Sequence, residues 1–290
     1  MYPNFNHAAV DPPPGVEHDP MERWIVLDNG VEEGRKHAPI APFAIRALSR
    51  TGLSSALNES MWIPDYKTSK ILKADTTDEW HSCNWPKTST RVKLPIHTQD
   101  HETVFVWSGN FQHGLYGSDL PAVRSAGMVS MSCEALLDLL MDSSRVKEYN
   151  QLSLGRTDVM ILQEELTGGP FGGITKVVNS ASRPPLIRKN LEFDSILHAR
   201  ELEGKAGYKI VSRAVTPGED SAGTPTTANN VLKSEILMGV TMILRIEGCD
   251  DKCWMINVNH IRSPMIPMMI AKKIGLSAAV NFIHDLRNCC

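Results

Sequence analysis

The sequence predicts an α+β protein in which a large antiparallel sheet meets one long C-terminal helix. Eight β-type runs follow one another after residue 102, separated by turn residues, which favours antiparallel neighbours. A single amphipathic pattern then extends from Ser263-Pro264 to Arg287. With 290 residues, 42% of them apolar and 22% charged, the chain is long enough to bury a sizeable core.

The first hundred residues carry weaker patterns. Residues 1–38 are rich in Pro, Asp, Glu and His, which predicts a flexible arm. Apolar residues at helical spacing predict a helix from Pro39 to about Asn58, broken or kinked near Gly52. The stretch up to residue 100 has no clear period and is interpreted as irregular chain. We therefore expect a packed extension over 39–100 and the main domain over 101–290.

The predicted strands alternate apolar and polar residues most clearly in the seventh and eighth runs. The eight runs cover residues 104–110, 122–131, 158–166, 174–180, 191–199, 208–216, 232–247 and 253–261. Alternate positions are apolar at Ile236, Met238, Val240, Met242, Leu244 and Ile246, and again at Trp254, Ile256 and Val258, with His260 next in the series. Because alternate residues of a strand share a face, the pattern predicts one continuous apolar face.

Two further helices are predicted after the first. Ser132 is placed to cap a helix that begins at Cys133 and extends to about Ser143. The C-terminal helix has Pro267 in its first turn, where a missing N–H costs little, and is about 30 Å long. Its wide apolar stripe must cover an apolar surface. The helix either presses directly on the sheet or leaves a cavity beneath it.

Three segments resemble the steroidogenic-acute-regulatory-related lipid-transfer domain, known as START. They are AGMVSMSCEALLDLLMDSSRVKEYN (126–150), SRPPLIRKNLEF (182–193) and WMINVNHIRSPMIPMMIAKKIGLSAAVNFIHDLR (254–287). The resemblance implies a helix-grip fold, in which a curved antiparallel sheet of nine strands is wrapped around the C-terminal helix. It implies binding of one lipid in an apolar tunnel, and often transfer between membranes. The strand missing from our count is expected between Arg91 and Ile96.

The resemblance also implies which residues line the tunnel. The sheet is expected to contribute Val177, Phe193, Ile236, Met238, Val240, Met242, Leu244, Trp254, Ile256, Val258 and His260, and the C-terminal helix Met269, Ile270 and Ile274. Gly275 should soften this helix so that it can act as a gate. The expected ligand is a phospholipid, a sphingolipid or a sterol. Sterol-binding relatives carry a buried acidic and basic pair, which Val177 and Glu192 to Asp194 do not reproduce, so a sterol is disfavoured.

The loop over residues 181–190 is the expected membrane contact. Its tip, Pro184-Pro185-Leu186-Ile187, is apolar, and cationic residues flank it at Arg183, Arg188 and Lys189. An apolar tip with cationic neighbours suits shallow insertion among anionic headgroups. The alternative is a rigid turn whose Leu and Ile point inward. Arg188 matches the arginine that opens the sixth strand in many members of the family, and its expected role is structural, pairing with a carboxylate or carbonyl at the loop base.

Other functions have little support in the sequence. A formal charge of -3 argues against nucleic acid. The glycine-rich segment 168–173 lacks the Lys-Ser or Lys-Thr pair of a phosphate loop, and Cys249 and Cys253 are interpreted as free thiols. We expect no catalytic residue, metal or cofactor in a monomeric, cytoplasmic protein that contacts membranes transiently. The alternatives are a lipid-sensing adaptor without transfer activity and a helix-grip enzyme of the cyclase or hydrolase type.

Overall fold

The computed structural model describes residues 40–57, 61–65, 104–110, 120–185, 187–215, 230–263 and 266–289. The predicted arm over 1–38 and the strand expected over 91–96 lie outside the described residues. Most of the irregular chain before residue 100 also lies outside them.

One open sheet of ten strands forms the centre of the described structure. The strands are β1 (Trp62–Pro64), β2 (Phe105–Asn110), β3 (Pro121–Val129), β4 (Ser153–Gln163), β5 (Ile174–Ser182), β6 (Asn190–Glu201), β7 (Gly207–Ala214), β8 (Val231–Lys233), β9 (Glu235–Ile246) and β10 (Cys249–Arg262). Their spatial order is β1-β2-β3-β10-β9-β7-β6-β5-β4, and neighbours along this path are antiparallel, while the short β8 pairs in parallel with β6. The predicted antiparallel sheet is confirmed.

Four α-helices accompany the sheet in the described part of the chain: α1 (Pro42–Leu57), α2 (Cys133–Met141), α3 (Val146–Tyr149) and α4 (Met268–Arg287). The Ser132 hydroxyl accepts a hydrogen bond from the Ala135 N–H (3.2 Å), so the predicted cap of α2 is confirmed. Pro267 lies immediately before α4, where its extended backbone precedes the first helical residue. The helix therefore begins at the boundary that its proline indicates.

Helix α1 continues through Gly52, so the predicted break near this residue is wrong. A Cβ atom on Gly52 would lie 3.1 Å from both Val211 Cγ1 and Val240 Cγ2. The glycine therefore allows α1 to approach the sheet closely. Its role is packing rather than interruption of the helix.

Both faces of the sheet are covered, and the two coverings differ. The α1 face, named for the helix that covers it, packs α1 against β-strand residues such as Val240, Met242 and Ile256. On this face Phe105 stacks with Trp107 and lies 5.9 Å from Trp254 between ring centroids. The α4 face carries α2 and α4.

The α1 face buries titratable residues, and His198 and Lys209 are two of them. His198 is 1% exposed, and its Nδ1 lies 2.9 Å from Thr175 Oγ1. Burial, together with the nearby charges of Arg200 and Lys209, lowers the pKa of His198 to about 3. The Lys209 ammonium donates to the Ser49 carbonyl of α1 (3.0 Å), and its burial lowers its pKa to about 8.

We expect His198 to make the folded chain sensitive to acid. Its pKa in the unfolded chain is about 6.5. The unfolded chain therefore binds a proton that the folded chain does not bind as pH falls from about 6.5 to about 3. The free energy of unfolding should drop by about 2 kcal/mol between pH 7 and pH 5 from this residue alone.

Urea denaturation of wild type and His198→Gln at pH 7 and pH 5 measures this contribution. The variant loses the contact with Thr175 at both pH values, so only the difference between the two pH values reports the titration. Equal losses of stability in the two proteins would show that His198 does not cause the acid sensitivity.

Candidate functional site

A cavity of about 380 Å³ lies on the α4 face, between the sheet and helix α4. Strands β5, β6, β7, β9 and β10 form its floor and α4 forms its roof, while residues of α2 and α3 close one side. Ligand sites of small molecules commonly measure about 300–1,000 Å³.

The roof is apolar because α4 turns one stripe of side chains downward. The lining residues of α4 include Ala271, Ile274, Ala278 and Phe282, which recur at helical spacing. A Cβ atom added to Gly275 would lie 3.2 Å from Val123 Cγ2, so the glycine marks a close approach of α4 to β3. Gly275 therefore has a packing role. That it also lowers the stiffness of α4 stays a prediction.

The floor carries a row of uncharged polar side chains. We name these residues the polar band: Ser195, Ser212, Thr241, Asn257 and Asn259. The Thr241 hydroxyl donates to Asn257 Oδ1 across β9 and β10 (3.1 Å). A Cβ atom on the neighbouring Gly239 would lie 2.1 Å from Ser212 Oγ, so glycine leaves room for that hydroxyl. The floor thus combines these polar side chains with apolar ones such as Phe193 and Ile236, beneath a largely apolar roof.

The two charged residues among the described lining already have protein partners. The guanidinium of Arg156 donates to the Leu140 carbonyl (2.8 Å) and to Ser143 Oγ (2.9 Å). The Asp285 carboxylate accepts from the Gln151 N–H (3.3 Å). These contacts hold the end of α2 and the chain after α3 beside the cavity.

Phe193, Ile236 and Ile274 are the predicted ligand-binding residues that line the cavity. The remaining predicted wall residues pack in the α1 face: Val177, Met238, Val240, Met242, Leu244, Trp254, Ile256 and Val258. His260 is fully buried opposite Met238 on that face. The prediction that these nine residues lie beneath the C-terminal helix is therefore wrong in its geometry.

The error arises from which face was chosen. Alternation of apolar residues indicates a buried face, but this sheet buries both of its faces. The more uniformly apolar face packs against α1, whereas the cavity lies on the other face. A register shift between His260 and Ile261 also places Ile236 on the α4 face beside Ile261, whereas Met238 faces α1. Thr241 alternates with Val240 and Met242 and therefore lies on the other face of the sheet, where it lines the cavity.

The first turn of α4 is exposed rather than part of the roof. Met269 is 87% exposed and Ile270 39% exposed, and neither lines the cavity. The prediction that they form the roof is wrong, because the helical stripe that faces the sheet passes instead through Ala271 and Ile274.

The loop over residues 181–190 is divided between the cavity and the surface. Pro184 and Ile187 line the cavity, Pro185 is exposed, and Leu186 lies outside the described residues. Arg183 Nε donates to Asn190 Oδ1 across the loop base (2.9 Å). Exposed Arg188 makes no hydrogen bond or ion pair within the described structure, so the prediction that it pairs with a carboxylate or carbonyl at the loop base is wrong. Lys189 is half-buried.

Two further features bear on the class of site. Among the described residues, no three His, Cys, Asp or Glu side chains come together where they could hold a metal ion. In the same part of the chain, no helix has the length and apolar character needed to cross a bilayer.

Solved structures share this arrangement of sheet and helix. Human STARD10 matches with a TM-score of 0.56 and 14% identity, over 83% of this chain and 77% of that chain. Human StAR-related lipid transfer protein 5 matches with a TM-score of 0.59 and 10% identity, over 84% of this chain and 93% of that chain. The fold is that of the START domain. No family model and no curated protein sequence matches the chain.

The START fold positions the cavity, and at these identities the likeness establishes the fold alone. It confirms the predicted helix-grip architecture, with an open antiparallel sheet and a C-terminal helix. The residues that face the cavity in this chain must be argued from its own geometry.

We expect Arg156 to act as a structural support of the cavity wall. Arg156→Met removes charge-assisted hydrogen bonds to Leu140 and Ser143 and should lower the free energy of unfolding by about 1.5–3 kcal/mol. Arg145→Met is the matched control, because the exposed pair of Arg145 with Glu148 should contribute less than about 1 kcal/mol. Urea denaturation measures both variants, and equal small losses would contradict the supporting role.

Proposed function

We propose that this protein binds one amphiphilic lipid in the cavity beneath α4 and carries it between membranes. The observation that carries the proposal is a partly open cavity with a largely apolar roof between the sheet and α4. The START fold gives further support, since one of the structures that share it is named a lipid transfer protein. Phe193, Ile236 and Ile274 are the apolar residues proposed to contact the ligand.

The physical basis is the exclusion of water from the apolar part of the ligand. A buried chain of about ten methylenes is held out of water by about 8 kcal/mol, at about 0.8 kcal/mol for each methylene. An apolar protein cavity offers nearly the same environment as the interior of a bilayer. Exchange between the two is close to neutral, and no chemical energy source is needed.

The surface proposed to meet the membrane combines the loop over 181–190 with the start of α4. The end of β5 and the beginning of β6 flank the loop, and the end of β10 lies at the same end of the sheet because the strands are antiparallel. Met268, Met269 and Ile270 are exposed there. Arg188, Lys189, Lys272 and Lys273 supply positive charge close to these apolar side chains. This combination suits shallow contact with an anionic membrane.

An enzymatic function has less support than binding. A helix-grip enzyme needs acid and base groups that converge in the cavity. Arg156 and Asp285, the charged residues of the described lining, instead bond to the protein. The adaptor alternative, in which lipid is sensed but not transferred, uses the same cavity and is distinguished by a transfer assay between vesicles.

Filling the cavity should prevent lipid loading. Ala278 lines the cavity from α4, whereas its neighbour Ser277 is exposed. Ala278→Trp should copurify with about fivefold less extractable lipid than wild type, since the indole occupies ligand space. Ser277→Trp places the same side chain in solvent and should keep the wild-type load. Native mass spectrometry measures the occupancy, and a full load in Ala278→Trp would contradict the assignment of the cavity.

Charge reversal in the loop should weaken membrane contact. Arg188→Glu changes the local charge by two, which corresponds to about 2 kcal/mol at an anionic surface and to about 30-fold weaker binding. Sedimentation with phosphatidylcholine vesicles that contain phosphatidylserine measures the partition coefficient. Lys205→Glu is the control, because exposed Lys205 lies beyond the opposite end of the 12-residue strand β6. Equal weakening by the two substitutions would argue for a general charge effect rather than a loop contact.

A further inference from the structure

The polar band offers hydrogen-bonding groups that the protein itself leaves unused. Within the described residues, the hydroxyls of Ser195 and Ser212 and the side-chain amide of Asn259 make no hydrogen bond. The Asn257 side chain accepts through Oδ1 from Thr241, and its amide nitrogen makes no hydrogen bond in that part of the chain. Ser195 is only 2% exposed and Asn257 only 5% exposed. These groups therefore face the cavity instead of bulk solvent.

These groups border the open space of the cavity, where water can bond to them, and covering them with a ligand is unfavourable unless the ligand supplies replacement hydrogen bonds. A plain acyl chain has no hydrogen-bonding atoms, so it would leave the band unsatisfied. An ionic headgroup does not fit either, because Arg156 and Asp285 are already bonded and no other charged side chain is among the described lining. The chemistry that satisfies the band is an uncharged donor or acceptor.

We propose that the cavity selects an uncharged amphiphile whose hydroxyl or amide groups bind to the polar band while its hydrocarbon part packs under α4. This inference rests on the proposed lipid-binding function and names the class of ligand. The Asn257 amide N–H donates to a ligand carbonyl or hydroxyl oxygen. The hydroxyls of Ser195 and Ser212 act as donors or acceptors toward a ligand amide or alcohol.

The arrangement places recognition within the cavity rather than at its mouth. The band spans β6, β7, β9 and β10, so its members come from four neighbouring strands. The apolar residues Ile274 and Phe282 of α4 line the roof of the same cavity. A ligand is therefore held by hydrogen bonds on one side and by apolar contact on the other. Such a site rejects an analogue that lacks the hydrogen-bonding groups.

Binding of three probes tests the inference. N-decanoylethanolamine is uncharged and carries an amide and a hydroxyl. Methyl dodecanoate has the same number of non-hydrogen atoms but no hydrogen-bond donor, and dodecyl phosphate replaces the neutral polar group with an anion. We expect the full-length protein to bind the ethanolamide about tenfold more tightly than either of the others, as measured by titration calorimetry or native mass spectrometry.

Variants of the polar band connect that preference to its residues. Asn257→Leu and the smaller change Ser212→Ala should each reduce affinity for the ethanolamide by about fivefold and reduce affinity for the methyl ester, which offers acceptors but no donor, by less. Ser144→Ala, at an exposed position, is the control and should behave as wild type. If Asn257→Leu fails to fold, Ser212→Ala and Ser195→Ala still test the same surface. A preference that survives in the folded variants would overturn the inference.

The possible failures are distinguishable. Equal affinity for the ethanolamide and the methyl ester, or tighter binding of dodecyl phosphate, would overturn the inference but keep a lipid-binding cavity. Absence of binding to all three probes, in a chain that also copurifies without lipid, would contradict the proposed function itself.

Discussion

The close contact between α1 and the sheet gives the sheet a well-packed core on one face. The stability of this core offsets the packing that is lost around the cavity on the opposite face. Gly52 lets α1 approach Val211 and Val240, and most of the other side chains packed on this face are aromatic or aliphatic. On the opposite face, Gly275 brings α4 close to Val123, while the cavity lies under other parts of the helix. A cavity costs dispersion contacts on its lining, so it must be offset by dense packing elsewhere.

Much of this architecture follows from local patterns in the sequence. The alternation in β9 and β10 is strong because each strand contributes side chains to buried surfaces. Ser132 marks the beginning of α2 through its side-chain cap, and Pro267 marks the beginning of α4 by its position immediately before the helix. The sequence pattern of β4 is less informative, because β4 lies at the edge of the sheet and leaves apolar residues such as Val159 and Ile161 exposed. Such a strand lacks the regular alternation on which prediction depends.

The identity of the cavity face could not be obtained from the same patterns. A polar residue that faces solvent and one that faces a polar cavity occupy equivalent positions in an alternating strand. Thr241 and Asn257 illustrate this, because they line the cavity. Their neighbours Val240 and Ile256 lie on the more apolar face, and the sequence pattern therefore predicted the binding site there. The register shift beside His260 changes which face Ile236 occupies, and it depends on pairing between strands rather than on local sequence.

The two ends of α4 differ in how firmly they are held. Near its C-terminus, Ile283 and Leu286 are fully buried, Asp285 accepts from the Gln151 backbone, and Arg287 Nε donates to the Met128 carbonyl (2.8 Å). At its beginning, Met268 and Met269 are exposed and so contribute little to burial. Displacing the first turn therefore breaks fewer favourable contacts than displacing the last. The first turn of α4 lies at the end of the sheet that also carries the 181–190 loop, so the proposed function predicts that a ligand enters there, because this movement does not separate the buried half of the helix from the core.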